Sequence, residues 1–260
     1  MCMYEQDVPN YKHDFLGDKR WVSFEGSHHK FYFFKDSVAG KDIGEINEKQ
    51  ELAYKKILDF LKVPEPDKKI EFYLYPSEQI KRELMGNDGY AVSIYNEFKI
   101  HALYTEKIKP VGEHEETHLL SLPWGLSISF FQEGLAEYFV GRAWDRKDFV
   151  RHVKDGYGKK MYPELKNFMS QQAWMDTDDS MAIYFYSLAG AFVSFLIKSF
   201  GKDRFETFYK KSNRRFSVSQ NSALFESSFG ISIEEAEQKF KSSIAQSDSL
   251  LHFPIFLWHN

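Results

Sequence analysis

Residues 112–141 read GEHEETHLLSLPWGLSISFFQEGLAEYFVG, and this stretch limits the fold and the chemistry more than any other part of the chain. It contains a His-Glu-x-x-His string, from His114 to His118, and Glu133 follows after 14 further residues. In an α-helix, residues four positions apart stand one above the other on the same face. The string therefore predicts a helix on which two imidazoles project side by side and can share one metal ion.

The residues around the two histidines have the types and the spacing that metal-assisted hydrolysis needs. A zinc ion with three protein ligands keeps a fourth position for water, and the metal lowers the pKa of that water to about 7. Glu115 lies about 100° around the helix axis from His114, where it can take a proton from the water. We predict that His114, His118 and Glu133 bind zinc and that Glu115 is the general base. The alternative is a polar helix whose charged face is solvated.

A second helix is predicted to carry Glu133. Pro123 should end the first helix, because proline disrupts a helix interior. Ser129 and Gln132 have the spacing of a capping box, which marks the start of the second helix. Gly141 is a plausible end for it. This arrangement places Glu133 in the first turns of the second helix, after a short loop.

Two neighbours of Glu133 add to this prediction. Glu137 lies four residues further on the same face, where it can accept a hydrogen bond from a ligating histidine. Gly134 costs about 1 kcal/mol relative to alanine inside a helix. A glycine at this position therefore indicates that another group approaches the helix closely. The alternative for both glutamates is an exposed helix face.

The strings HEETH and FFQEGLAEYF resemble those of the gluzincin metallopeptidases, peptidase MA-like domains related to the thermolysin and M1 aminopeptidase groups. The resemblance implies a zincin-like fold with the active-site helix at a cleft, Zn²⁺ as cofactor, Glu133 as third ligand and Glu137 as its supporting carboxylate. It also implies that a tyrosine ahead of a glycine in YSLAGAF hydrogen-bonds the oxyanion; Tyr186 matches best, and Tyr184 is the alternative. The third ligand follows sooner than in M1 enzymes and their GxMEN segment is missing, so dedicated aminopeptidase activity is not expected.

The distribution of strand and helix patterns predicts an α+β fold. A strand-rich lobe is expected in residues 1–105 and a mainly helical lobe in residues 106–260, together forming a single peptidase MA-like unit over residues 1–260. Helical periodicity predicts a helix over residues 46–63 and a short one between Ser77 and Gly86. A cleft between two such lobes is a natural place for an active site.

Alternating apolar residues predict the strands of the first lobe. Residues 29–34 read as one strand, and residues 69–75 read as a half-buried strand with alternate side chains facing the core. Two further strands should form a hairpin that turns at Asn96 and Glu97. The resemblance implies that an extended substrate pairs with an edge strand near Lys99–Tyr104.

Charge and composition exclude several other classes of protein. The net charge is −4, from 34 basic and 38 acidic residues without a long run of either sign, so no nucleic-acid partner is expected. The apolar segment Met181–Phe200 contains serines, a lysine and Gly190, which favours a buried core helix over a membrane span. Cys2 is the single cysteine, and the N-terminus lacks a signal pattern, so a cytoplasmic location is expected. An extracellular lipoprotein attached through Cys2 is the alternative if the true start lies upstream.

The expected function is therefore that of a zinc metallopeptidase acting on a peptide or protein substrate. Two alternatives are a catalytically idle zinc-bound module that binds peptides or a partner protein, and a zinc amidase with a non-peptide substrate. Among the other histidines, His101 is expected to be structural, with contact to substrate as the alternative. His28 and His29 lie next to a predicted strand, and His152, His252 and His259 lack partners at ligand spacing.

Overall fold

The computed structural model describes residues 18–246, which fall into two compact units. The first unit ends at Pro123 and the second begins at Trp124. A mixed sheet lies in the first unit and helices make up the second, which confirms the predicted α+β fold with its strands first. Cys2, His252 and His259 lie outside the described residues.

Strands and helices alternate in the first unit. Its elements are β1 (Trp21–Glu25), β2 (His29–Phe34), α1 (Val38–Leu61), β3 (Ile70–Tyr75), α2 (Glu78–Met85), β4 (Ala91–Ile94), β5 (Lys99–Leu103) and α3 (Glu113–Leu120).

The strands pair in the order β1-β2-β3-β5-β4. The inner strands β2, β3 and β5 are parallel, whereas β1 and β4 pair antiparallel at the two edges. The expectation that Lys99–Tyr104 supplies an edge strand is therefore wrong, because β5 is bonded to β3 on one side and to β4 on the other. The hairpin folds so that its first strand, β4, forms the edge.

Both faces of β3 are buried, which corrects the prediction of a half-buried strand. Tyr73 and Tyr75, expected on the polar face, lie in an apolar cluster that includes Met85 of α2, and Trp21 of β1 packs against it. The period-two pattern identified the strand but not its second layer, because that layer is supplied by residues distant in sequence.

Local capping explains the ends of the first two helices. Helix α1 begins at Val38, earlier than predicted, because Ser37 accepts a hydrogen bond from a backbone N–H of the first turn at 3.2 Å. Helix α2 matches its prediction: Ser77 accepts from the N–H of Ile80 at 3.2 Å, and Gly86 ends the helix in the left-handed conformation.

Seven α-helices are described in the second unit. They are α4 (Ser129–Val140), α5 (Phe149–Gly158), α6 (Gln171–Met175), α7 (Ala182–Phe200), α8 (Lys202–Lys211), α9 (Val218–Phe229) and α10 (Ile233–Gln246).

Helix α7 is the core helix of this unit, as its sequence predicts. Asp179–Phe200 is the one described helical segment that is long and apolar enough to cross a membrane by length and composition, and 72% of its apolar window is buried inside the protein. Helices α4 and α5 pack against it. Its apolar surface is thus covered by protein.

Helices α4 and α7 approach each other closely at two glycines. A Cβ atom on Gly134 would lie 2.7 Å from the carbonyl oxygen of Ala189, and one on Gly190 would lie 2.7 Å from the Cβ of Glu137. Real Cβ atoms essentially never lie within 3.0 Å of such atoms. The prediction that Gly134 permits a close approach is confirmed, and the approaching group is the backbone of α7.

The predicted capping box at the start of α4 is wrong. The helix begins at Ser129, but the Ser129 hydroxyl and the side-chain amide of Gln171 are hydrogen-bonded to each other, at 2.7 and 3.1 Å. The carbonyl oxygen of Gln132 accepts from Arg214 instead of reaching back to the helix start. Tertiary partners therefore replace the local cap, although Gly141 does end the helix as expected.

Candidate metal centre

At the start of helix α3, the backbone of Gly112 is hydrogen-bonded to the side chain of Gln50 of α1. The Gly112 N–H donates to Gln50 Oε1, and Gln50 Nε2 lies 3.3 Å from the Gly112 carbonyl oxygen and 2.7 Å from Glu116 Oε2. Gly112 has φ of 124°, which favours glycine. One buried amide thus holds the first turn of the histidine-bearing helix against α1.

Glu116 also connects helix α3 to the sheet, through His29 of β2. Its Oε1 lies 2.9 Å from His29 Nε2, and His29 Nδ1 lies 3.2 Å from Glu51 Oε1. Both Glu116 and His29 are fully buried. Burial raises the pKa of Glu116 to about 7 against the opposing effect of His29. Burial lowers the pKa of His29, but hydrogen bonds and charges from Glu116 and Glu51 outweigh it, so the net direction is upward.

The three predicted ligands come together. One donor atom each from His114, His118 and Glu133 can be chosen so that all lie within 4.8 Å of one another. Four ligands around zinc at about 2.0–2.1 Å would be about 3.3 Å apart in a tetrahedron. His118 and Glu133 are buried and His114 is partly exposed. Two imidazoles and a carboxylate are ligands that zinc prefers, so the residues fit the ion.

The two histidine side chains are neighbours, as their four-residue spacing predicts, and their rings meet edge to face. Their ring centroids are 5.1 Å apart with an angle of 84° between the planes. On the other side, the ring of Tyr95 lies 6.4 Å from that of His118. Tyr95 directly follows β4, so the end of the edge strand lies beside a metal ligand.

Glu115, the predicted base, points to the same strand. The Ser93 hydroxyl lies 2.7 Å from Glu115 Oε2 and 3.0 Å from the Glu115 backbone oxygen. Both residues are buried. Glu115 is not a member of the ligand group, in agreement with its predicted position off the ligand face.

Glu133 and Glu137 both lie in the buried part of helix α4. Both carboxylates are almost inaccessible to solvent, so the alternative of an exposed helix face is wrong. Glu137 faces α7, since its Cβ is the nearest atom to the position that a side chain on Gly190 would take. Its predicted hydrogen bond to a ligating histidine stays a prediction.

The two tyrosines of α7 have different surroundings. The Tyr184 hydroxyl donates to Asp155 Oδ2 at 2.8 Å and lies 3.3 Å from Lys159 Nζ. Tyr186 instead packs its ring edge-on against Trp144 and Trp174, with centroid distances of 5.7 and 5.3 Å. The role predicted for Tyr186 in oxyanion binding, with Tyr184 as the alternative, stays a prediction.

Two histidines outside the ligand group have structural partners. His101 is fully buried, its Nδ1 lies 2.8 Å from the Tyr75 hydroxyl, and its ring stacks on Tyr73. This arrangement supports the structural interpretation over contact with substrate. His152 Nε2 lies 3.0 Å from Asp145, a pairing that the sequence spacing did not reveal.

Sequence reasoning missed the residues that contact the histidine-bearing helix: Ser93, Tyr95, Gln50 and the pair of His29 with Glu116. The sequence carries no signal for Glu116, because its burial against His29 and Gln50 becomes evident only in the structure. No signal was available for Ser93, because a serine in an alternating strand is ordinary until its partner is known.

Comparisons with protein-family models and with curated proteins returned no match to this chain. The chemistry inferred for the site therefore rests on the positions of its own residues.

Proposed function

We propose that this protein is a zinc-dependent hydrolase, and specifically a peptidase. The observation that carries the proposal is the convergence of His114, His118 and Glu133, with Glu115 next to the first ligand in sequence. A zinc ion bound there would polarise a water molecule and the substrate carbonyl and would lower the pKa of the water to about 7.

The proton transfers fall to Glu115. Its carboxylate takes a proton from the attacking water, so that the hydroxyl adds to the carbonyl carbon of the scissile bond. When the carbon–nitrogen bond breaks, Glu115 passes the same proton to the leaving nitrogen. The products are a carboxylate and an amine, and the carboxylate of Glu115 is restored.

The remaining roles belong to Tyr186 and β4. Tyr186 would donate a hydrogen bond to the carbonyl oxygen as negative charge develops on it. Within the described residues β4 pairs with β5 on one side only, so its outer side can accept an extended peptide backbone. This edge replaces the one expected near Lys99–Tyr104.

A metal assay tests the first half of the proposal. The purified protein should contain about one zinc per chain, and His118→Ala should lose most of it, because one of three ligands is removed. Lys49→Ala serves as a control on the same unit, since Lys49 forms an exposed ion pair with Glu45 along α1. Full zinc occupancy in His118→Ala would refute the ligand assignment.

Cleavage of a diverse peptide pool, read by mass spectrometry, tests the second half. Glu115→Gln keeps the size of the side chain but cannot take the proton at neutral pH. General-base catalysis contributes about 10²–10⁴-fold, so the variant should retain zinc and lose at least about a hundredfold in cleavage rate. A rate within a few-fold of the parent would place the activity elsewhere. A zinc-loaded parent that cleaves nothing would favour a binding module or an amidase.

A further inference from the structure

The edge strand β4 lies directly against the catalytic helix. Ser93 lies in the strand, and Tyr95 directly follows its last residue. Ser93 contacts Glu115 and Tyr95 lies beside His118. The end of the strand therefore lies beside both the predicted base and a predicted metal ligand.

The Ser93 hydroxyl has one proton and two acceptors within reach, both on Glu115. The carboxylate oxygen is the nearer, at 2.7 Å, and the backbone oxygen lies at 3.0 Å. An ionised carboxylate is the stronger acceptor, so the proton is directed to Oε2. Ser93 is only 5% exposed, which leaves its hydroxyl little access to solvent.

Glu115 has particular need of a fixed donor. The other two acidic residues in the first turn of α3 have their own partners, Glu113 with Lys56 and Glu116 with His29. A glutamate side chain has three rotatable bonds, and a general base must lie within hydrogen-bond reach of the proton that it takes. A buried donor on a paired strand restricts those rotations.

We infer that Ser93 is a positioning residue that holds the Glu115 carboxylate in place. The expected effect of Ser93 on catalysis rests on the proposed function. The hydrogen bond between Ser93 and Glu115 does not depend on that function. Because β4 is also the open edge of the sheet, the strand that would pair with substrate is the one that orients the base.

A double-mutant cycle in the metal-free protein measures the coupling alone. Ser93→Ala, Glu115→Ala and the double variant are compared by urea unfolding. Hydrogen bonds to charged groups are stronger than neutral ones, so the coupling should be about tenfold or more in the unfolding equilibrium constant. Additive effects of the two substitutions would overturn the inference.

Kinetics of the zinc-loaded protein test the consequence. Ser93→Ala should keep its zinc and its KM within about twofold while kcat falls about tenfold, because the base is displaced but the ligands are not. Ser93→Thr keeps the hydroxyl and should restore most of kcat. Ser121→Ala is the matched control: Ser121 is equally buried and follows the same helix, but its hydroxyl contacts only the His118 carbonyl oxygen, at 3.4 Å.

The outcomes separate the two claims. Unchanged kcat in Ser93→Ala, with an active parent, would overturn the positioning role. An equal loss in Ser121→Ala, or a loss of zinc in Ser93→Ala, would also overturn it, because the effect would then be general damage to the helix. If the parent cleaves no peptide, the proposed function fails, and the cycle in metal-free protein still decides whether Ser93 holds Glu115.

Discussion

Replacing Gly134 by alanine tests the packing that places Glu133. The added Cβ would lie 2.5 Å from Val193 Cγ2 and 2.7 Å from the backbone oxygen of Ala189. The valine side chain can turn aside, but the backbone oxygen belongs to helix α7 and cannot move independently. To reach an ordinary contact of 3.4 Å, the helices must separate locally by about 0.7 Å.

The structure decides the sign of the change in stability. In a helix without tertiary contacts, alanine is favoured over glycine by about 1 kcal/mol. Adding a methyl group to a filled interior costs about 1–3 kcal/mol. We therefore expect Gly134→Ala to lower the free energy of unfolding by about 1–2 kcal/mol. Because Glu133 is the adjacent residue, the same displacement should also weaken zinc retention.

Gly44→Ala is the matched control for this experiment. Gly44 lies inside α1, and a Cβ there would meet nothing within 4 Å. The control should therefore gain up to about 1 kcal/mol. Urea unfolding followed by circular dichroism gives both free energies relative to the parent. If Gly134→Ala gains stability as Gly44→Ala does, the close approach of α4 and α7 is refuted.

Two further predictions concern buried glutamates. Glu133→Ala should weaken zinc binding far more than Glu137→Ala. Loss of a residue that only supports a ligand lowers metal affinity by about 10–100-fold, whereas loss of a ligand should lower it further. Metal titration of both variants checks this, and the reverse order of affinities would exchange the two roles. Burial raises the pKa of Glu116 to about 7, so its contribution to stability is full below about pH 4.5 and is lost as the pH rises through 7. Glu116→Gln should therefore show a smaller fall in unfolding free energy between pH 5 and pH 8 in metal-free protein; parallel profiles for parent and variant would contradict it.

The parts of the site that depend on local geometry could be predicted from the sequence. The two histidines face the same way because a four-residue spacing on a helix allows little else. Helix α2 could be bounded by Ser77 and Gly86 because both act within one turn of the chain. The place of Gly134 in a close contact could also be predicted, since an interior glycine is costly without one.

The parts of the structure that depend on partners distant in sequence could not be predicted. Ser129 and Gln132 have the spacing of a capping box, yet Gln171 and Arg214 bind their side chains instead. The resemblance implied an edge strand near Lys99–Tyr104, and only the pairing of β5 with β3 shows that this strand lies inside the sheet. Spacing along the chain carries no information about which distant group competes for a side chain.

Burial of the helix that carries HEETH distinguishes between the two interpretations of its sequence. A solvated polar helix would expose its charged residues, but Glu116 is 0% exposed, His118 2% and Glu115 6%. Burying a charged group without a partner costs several kcal/mol, so such a helix persists only where each group is compensated. Glu116 has His29 and Gln50, and Glu115 has Ser93. Buried acidic residues with such specific partners are what a solvated polar helix would not require, so their burial argues against that interpretation.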